Sequence, residues 1–285
     1  MDQANGSYMK KDYGAAVIAY KAVVAAEPAN ALAWYRLAVS QQSLGTLDDA
    51  AANYGQALKL GFDAFSVYYR LATLEGARGD EPAAMGFLEK ANAARRIPPG
   101  DLETDAALAP VRSDPRFAAL IDANARFFYP CTFDQRYRFM DFWIGDWDVS
   151  NKAGKQIGSS HIEQINNSCA LLENWTAGGA NTGKSFTFYD VERDQWVQHW
   201  VDGQGGYLDF AGHPDGKSLV FLAPTFNPSD HKPAFRRMTF TPLDDGRVRQ
   251  LIETSPDGKS HWTIAFDGYY AKRVSESRTS PLRSR

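Results

Sequence analysis

Three carboxylates stand in short segments where polar and aromatic residues alternate: Glu173 in "ALLENWTAG", Asp202 in "QWVQHWVDG" and Glu253 in "RVRQLIETS". A carboxyl drawn into an apolar interior has its pKa raised, because burial disfavours the charged form, and it can then exchange a proton near neutral pH. Such a group can serve as general acid or base in isomerisation, cyclisation or hydration of an apolar substrate. The same region carries side chains suited to holding such a molecule. Trp175, Trp200 and Trp262 offer aromatic walls, Gln198 a hydrogen-bonding amide, Arg237 a countercharge, and Tyr207, after the "DGQGG" loop, a rim position. Glu173, Asp202 and Glu253 are thus the candidate catalytic residues, and the other six the candidate ligand-binding residues.

Other chemistries lack their residues. The five histidines show no HxH or HExxH spacing and the two cysteines cannot cage a metal by themselves, so no metal site is expected. His161 and His199 read as structural or surface histidines. GxGxxG, P-loop and GxSxG patterns are absent, which removes support for nucleotide binding and for hydrolases of that type; no cofactor is expected.

The elements that must position these residues begin after "RFFYPCTFDQRY", where the apolar pattern changes to period 2. "QIGSSHIEQI", "ALLENWTAG", "KSFTFYD", "QWVQHWVDG", "GYLDFAG", "SLVFLAP", "FRRMTFTPL", "RVRQLIETS" and "HWTIAFDGYYAKR" are successive strand candidates, separated by turn signals such as "HPDG" and "SPDG". An antiparallel meander of eight to ten strands suits a closed barrel, which has no exposed edges. Strand parity groups Leu171, Glu173 and Trp175; Trp196, Gln198, Trp200 and Asp202; Arg249, Leu251 and Glu253; and Trp262, Ile264 and Phe266. If these mixed faces point inward, they line a ligand cup. If they point outward, the Val197, Val201 and Ile252 faces form a dry core. Three tryptophans facing solvent would be unusual, which favours the cup.

Residues 1–97 repeat with a step of 34: Ala16, Ala50 and Ala84; Tyr20, Tyr54 and Leu88; Val23, Ala57 and Ala91; and, upstream, Trp34 and Tyr68, Leu37 and Leu71, Gly45 and Gly79. Each unit holds two runs at helical spacing around a turn such as "LGTLDD". The pattern resembles the tetratricopeptide repeat over residues 31–64 and 65–97, with Gln41 and Glu75 where an aromatic is common, and Phe62 and Arg96 where Pro28 closes the first unit. That resemblance implies an α-helical solenoid that docks a protein partner or braces its neighbour. Residues 101–127 read as a helical cap, with Asp114 and Pro115 starting its second helix. Only the second helix of the first unit, from Tyr13 to Ala26, reads as complete, so the N-terminus is expected to be trimmed.

"DFWIGDWDV", residues 141–149, with "LLENW", "WVQHWVD" and "WTIAFDGYY", resembles a bacterial lipocalin-like family of the calycin superfamily, of unassigned function, over residues 139–273; Met140 stands where Phe is usual. The resemblance implies a barrel whose base is closed by Trp147, after Gly145, with Arg273 of the last strand stacked on it. It permits carriers and enzymes alike.

The whole is an α+β multidomain chain of 285 residues: repeats at 1–97, capping helices and linker at 98–130, an antiparallel lipocalin-like β-barrel at 131–275 and a disordered tail at 276–285. A net charge of -3 gives no basic footprint for nucleic acid, and no apolar run is long enough to span a bilayer. "MDQANGSYMKK" has no secretory h-region; with the trimmed first repeat it points to a periplasmic or secreted protein after signal removal, the alternative being a cytoplasmic one. Cys131 and Cys169 are a disulfide or, the preferred expectation, two buried thiols. The expected function is binding of a small, partly apolar molecule in the barrel lumen; the alternative is a cofactor-free enzyme using a buried carboxylate.

Overall fold

The computed structural model describes residues 1–178, 181–227 and 230–273 and divides into two compact units, Met1–Phe128 and Tyr129–Arg285. The tail expected at 276–285 lies outside the described residues.

The first unit is a helical repeat region: α1 (Asp2–Met9), α2 (Tyr13–Ala26), α3 (Ala31–Ser43), α4 (Leu47–Lys59), α5 (Ala64–Arg78), α6 (Glu81–Ala94), α7 (Pro99–Thr104), a 3-10 segment (Ala106–Val111) and α8 (Pro115–Phe128). Ala16, Ala50 and Ala84, which share the 34-residue step, are all fully buried, as are Tyr20 and Tyr54. The alanines let paired helices approach closely, and the tyrosines fill the space beside them. Helix starts are set by side-chain caps: Asp12, Asn30, Asp63 and Asp80 each accept a backbone N–H three residues on. Asp114 caps α8 from the amide of Arg116 at 2.9 Å. Buried Asn124 of α8 donates to Asn92 of α6 at 2.7 Å and to the Ile97 carbonyl at 2.9 Å, tying the last helix to the repeats.

One expectation is corrected here. Helix α2 does have a partner within the chain, because α1 packs on it: Ala4 is buried, Tyr8 meets Tyr20 edge-on at 6.2 Å, and the Tyr20 hydroxyl donates to Asn5 Oδ1 at 2.7 Å. With Asn5 and Gly6 inside it and one buried residue, α1 has too weak an apolar period to read.

The second unit opens with α9 (Pro130–Phe133) and two 3-10 turns, Gln135–Arg138 and Asp141–Trp143. Ten strands follow among the described residues: β1 (Gly145–Ser150), β2 (Gln156–Ile165), β3 (Ala170–Ala177), β4 (Thr182–Asp190), β5 (Gln195–Asp202), β6 (Tyr207–Asp215), β7 (Ser218–Phe226), β8 (Pro233–Pro242), β9 (Val248–Ser255) and β10 (Thr263–Lys272). Each pairs antiparallel with the next, and β10 pairs with β1 to close the barrel.

The interior has two parts. Toward the end where the chain enters β1, Met140, Trp143, Trp147, Phe221, Phe240 and Val248 make a solid apolar core. "DFWIGDWDV" is thus the floor of the barrel. The Trp147 indole donates to the Trp143 carbonyl at 2.8 Å, and Trp143 packs on Phe240 at 4.6 Å. The basic residue over Trp147 is Lys272, 4.2 Å from the ring centre, whereas Arg273, one residue on, turns to Asp148 at 2.8 Å. Parity explains the correction, since Lys272 is the residue paired with Trp147.

Cys131 and Cys169 are joined by a disulfide, so the expected free thiols are corrected; the bond fastens α9 to the β2–β3 turn. Among the described residues no helix is long and apolar enough to cross a membrane.

Candidate functional site

Above the solid floor the barrel is hollow. A cavity of about 280 Å³ opens between Glu173 and Trp175 of β3, Gln198, Trp200 and Asp202 of β5, and the facing strands β8 to β10. The mixed faces of β3 and β5 therefore point inward. On β3, Leu171 and Glu173 are buried; on β5, Trp196 and Gln198 are. On the other face of β5, Val201 is half exposed whereas Val197 is buried.

Glu173 is the deepest charged group. Its Oε1 accepts the Ser160 hydroxyl of β2 at 2.8 Å, and its Oε2 accepts the Ser185 hydroxyl of β4 at 2.9 Å. Burial pushes its carboxyl up to about 7, and the two serine hydrogen bonds hold it from rising further. Beside it, the Tyr270 hydroxyl donates to Gln250 Oε1 at 2.6 Å, and burial together with the Glu173 charge lifts the Tyr270 phenol well above its ordinary value. Gln198 donates to Thr187 Oγ1 at 2.7 Å. Glu173 is therefore the one carboxyl of the expected three that is buried in the cavity wall with its pKa raised.

Asp202 lines the cavity, yet its Oδ1 accepts the amides of Gln204 and Gly206 at 2.9 and 2.7 Å. It anchors the β5–β6 turn. The aromatic walls are held by the neighbouring backbone: Trp175 and Trp200 lie across Gly158 and Gly183 of adjoining strands, where a Cβ would collide with each indole. Trp175 also meets Phe266 edge-on at 6.1 Å.

Four of the expected site residues are outside this cavity. Arg237 and Glu253 pair directly across β8 and β9, and their ion pair, 2.8 Å long, sits on the outer wall, where solvent lowers the cost of both charges. Trp262 stacks on the outer side of the same arginine, 4.2 Å from its guanidinium carbon. Tyr207, paired with Val201, faces outward and is 59% exposed. Grouping Trp262 and Ile264 with Phe266 fails because β10 carries a bulge between Ile264 and Phe266: Ile264 pairs with Glu253 and Phe266 with Ile252, so the two fall on opposite faces.

Cavity-wall residues missed by the sequence reading include Arg236, Gln250 and Tyr270, whereas Phe266, grouped with a face expected to line the cup, is in the wall. A signal existed for Arg236, which shares parity with the apolar pair Met238 and Phe240, and for Gln250, between Val248 and Ile252. Arg236 Nε is buried without a hydrogen-bond partner, and among the described residues no carboxylate pairs with this arginine. No group of three or more His, Cys, Asp or Glu among the described residues could hold a metal ion.

No family model matches the chain, and no curated protein does. Solved structures similar to it include the TPR2B-domain:pHsp70-complex of yeast Sti1, at 20% identity over 44% of this chain and 92% of that one, with a TM-score of 0.32. Two structures of MamA are also similar, at 21% identity over 48% and 80% of the respective chains with a TM-score of 0.38, and at 20% over 45% and 85% with a TM-score of 0.26.

Proposed function

We propose that this chain is a small-molecule binding protein that holds a partly apolar ligand in the lumen of a lipocalin-like barrel, with its tetratricopeptide-like helices serving as a solenoid that docks a protein partner. The observation that carries the reading is the hollow upper barrel, walled by Trp175, Trp200 and Phe266 and bearing a hydrogen-bonded Glu173. Such concave, mainly apolar sites with a few fixed polar groups are where small ligands bind. The calycin resemblance supports it through the Gly145 to Trp147 stretch at the barrel base. The Cys131–Cys169 bond suits an oxidising compartment, periplasmic or extracellular.

The test is titration of small neutral aromatic molecules followed by tryptophan fluorescence. Binding is expected to change the emission of Trp175 and Trp200, and Leu208→Trp, which fills the cavity, is expected to abolish it. Unchanged binding by that variant would move the site elsewhere.

A second reading, an isomerase, cyclase or hydratase without cofactor, is favoured by one observation: the Glu173 carboxyl is held near 7, where it can act as general acid or base. Glu173→Gln separates the two. A carrier keeps its affinity within a few-fold, whereas an enzyme keeps binding and loses turnover by about 10²–10⁴-fold.

A further inference from the structure

Adjacent arginines of β8 have opposite surroundings. Arg237 is fully engaged on the outer wall, its Nε and Nη2 donating to Glu253 at 3.0 and 2.8 Å beneath Trp262. Arg236 lines the cavity and also the adjoining hollow beside Phe226 and Thr254; it is partly buried, its Nε is sealed without a partner, and among the described residues no acid pairs with it. We infer that Arg236 is the anchor for a carboxylate, and that the lumen takes a small monocarboxylate whose apolar body lies between Trp175, Trp200 and Phe266. The inference rests on the binding reading above and names the ligand's charge and class.

A buried unmet donor costs about 1–3 kcal/mol. A lysine could escape that cost by losing its proton, but a guanidinium cannot. The fixed acids of the cavity do not relieve it, since Glu173 is committed to Ser160 and Ser185, and Asp202 to the amides of Gln204 and Gly206. The Arg236 Nη groups, which unlike Nε are not sealed off, are therefore the donors left for an acceptor from outside the chain. A planar carboxylate matches the guanidinium fork, two parallel N–H donors to two oxygens, better than any neutral group does.

Size narrows the class further. A cavity of about 280 Å³ lies just below the range for ligand pockets, roughly 300–1,000 Å³, which favours a small ligand. The aromatic walls favour an aryl or short branched alkyl body. Across the barrel from Arg236, the remaining lone pairs of Glu173 are left to accept from a hydroxyl on the far end of the molecule.

The experiment is calorimetric titration of the full chain with three probes that differ in one group, 4-phenylbutyrate, 4-phenylbutanamide and 4-phenylbutylamine. The carboxylate is expected to bind at least about tenfold tighter than the amide. Arg236→Met is expected to bring the two within about twofold, the carboxylate losing far more affinity than the amide. Thermal melting of the same variant gives a ligand-free readout. Removing an unpaired cation should leave the apo protein at least as stable as the parent, and 4-phenylbutyrate should raise the parent's melting temperature but not the variant's. Should Arg236→Met fail to fold, Arg236→Gln is titrated instead, with the same loss of preference expected. Amide or amine binding equal to or tighter than carboxylate binding would overturn the anion inference and leave the lumen reading standing. If none of the three probes binds, both fall.

Discussion

Lys272 Nζ lies 4.2 Å from the centre of the Trp147 ring and donates to the Ile144 carbonyl, so the lysine stem covers an indole that is itself fully buried. Gly145 makes room for that contact. Its φ of +130° is one that side chains rarely adopt, and a Cβ there would come within 2.5 Å of Lys272 Nζ. Gly145→Ala is therefore expected to cost about 1–3 kcal/mol through backbone strain alone. Lys272→Met, which keeps the stem and loses the charge, should cost only about 0.5–1 kcal/mol at this exposed site. Urea unfolding of both variants checks the ranking; a more damaging Lys272→Met would mean that the charge, rather than the close approach, holds the base.

Glu173 sets a pH dependence whose sign follows from its environment. Its carboxyl rises from 4.5 in the free state to about 7 when folded, so the native protein binds the extra proton between those values. Stability therefore falls as pH rises through that window, by about 3 kcal/mol when complete, and is fully present only below about 4.5. Ser160 and Ser185 face this carboxyl directly, with Tyr270, Arg236 and Asp202 the ionisable groups around the same cavity. Glu173→Gln has no proton to lose. The variant is expected to gain on the parent by about that amount between pH 4.5 and 8 in denaturant titrations, and a pH-independent difference would refute it.

The repeats were readable because one step, 34 residues, places Ala16, Ala50 and Ala84 at equivalent buried positions, and a periodic interior leaves a periodic sequence. The strands were readable from alternation, and β5 shows its inward face through Trp196, Gln198 and Trp200. On β9 the alternation is ambiguous, because Leu251 and Ile252 are neighbours of equal hydrophobicity on opposite faces. Glu253 was therefore assigned to the lumen. The β10 bulge and the Arg237–Glu253 pair are products of strand register, which period-2 reasoning within one strand does not contain. The disulfide, too, depends on where α9 lies against the β2–β3 turn, a relation set by the fold and not by the 38-residue spacing.

That disulfide closes a loop of 38 residues, and chain entropy assigns such a crosslink up to about 4 kcal/mol. Reduction, or the pair Cys131→Ser and Cys169→Ser, is expected to lower stability by about 2–4 kcal/mol. The loss should appear as a lower urea midpoint. An unchanged midpoint would show that α9 is held in place by other contacts.

The Trp200 indole lies against Gly183 of β4, and this close approach shapes the cavity on that side. A methyl at 183 must push the indole into the hollow, because the strand backbone behind it cannot retreat without breaking its pairing with β3 and β5. Gly183→Ala is thus expected to weaken binding of any aromatic probe by about tenfold or more while the barrel remains folded. On the outer wall the opposite holds. Glu253→Gln and Trp262→Phe disturb an ion pair and a stacked ring that never meet the lumen, so each should cost no more than about 1 kcal/mol of stability. Probe affinity in both should stay within about twofold of the parent. Calorimetric titration of the three variants side by side decides which wall carries recognition, and a binding loss confined to the outer pair would place the ligand on the outer wall.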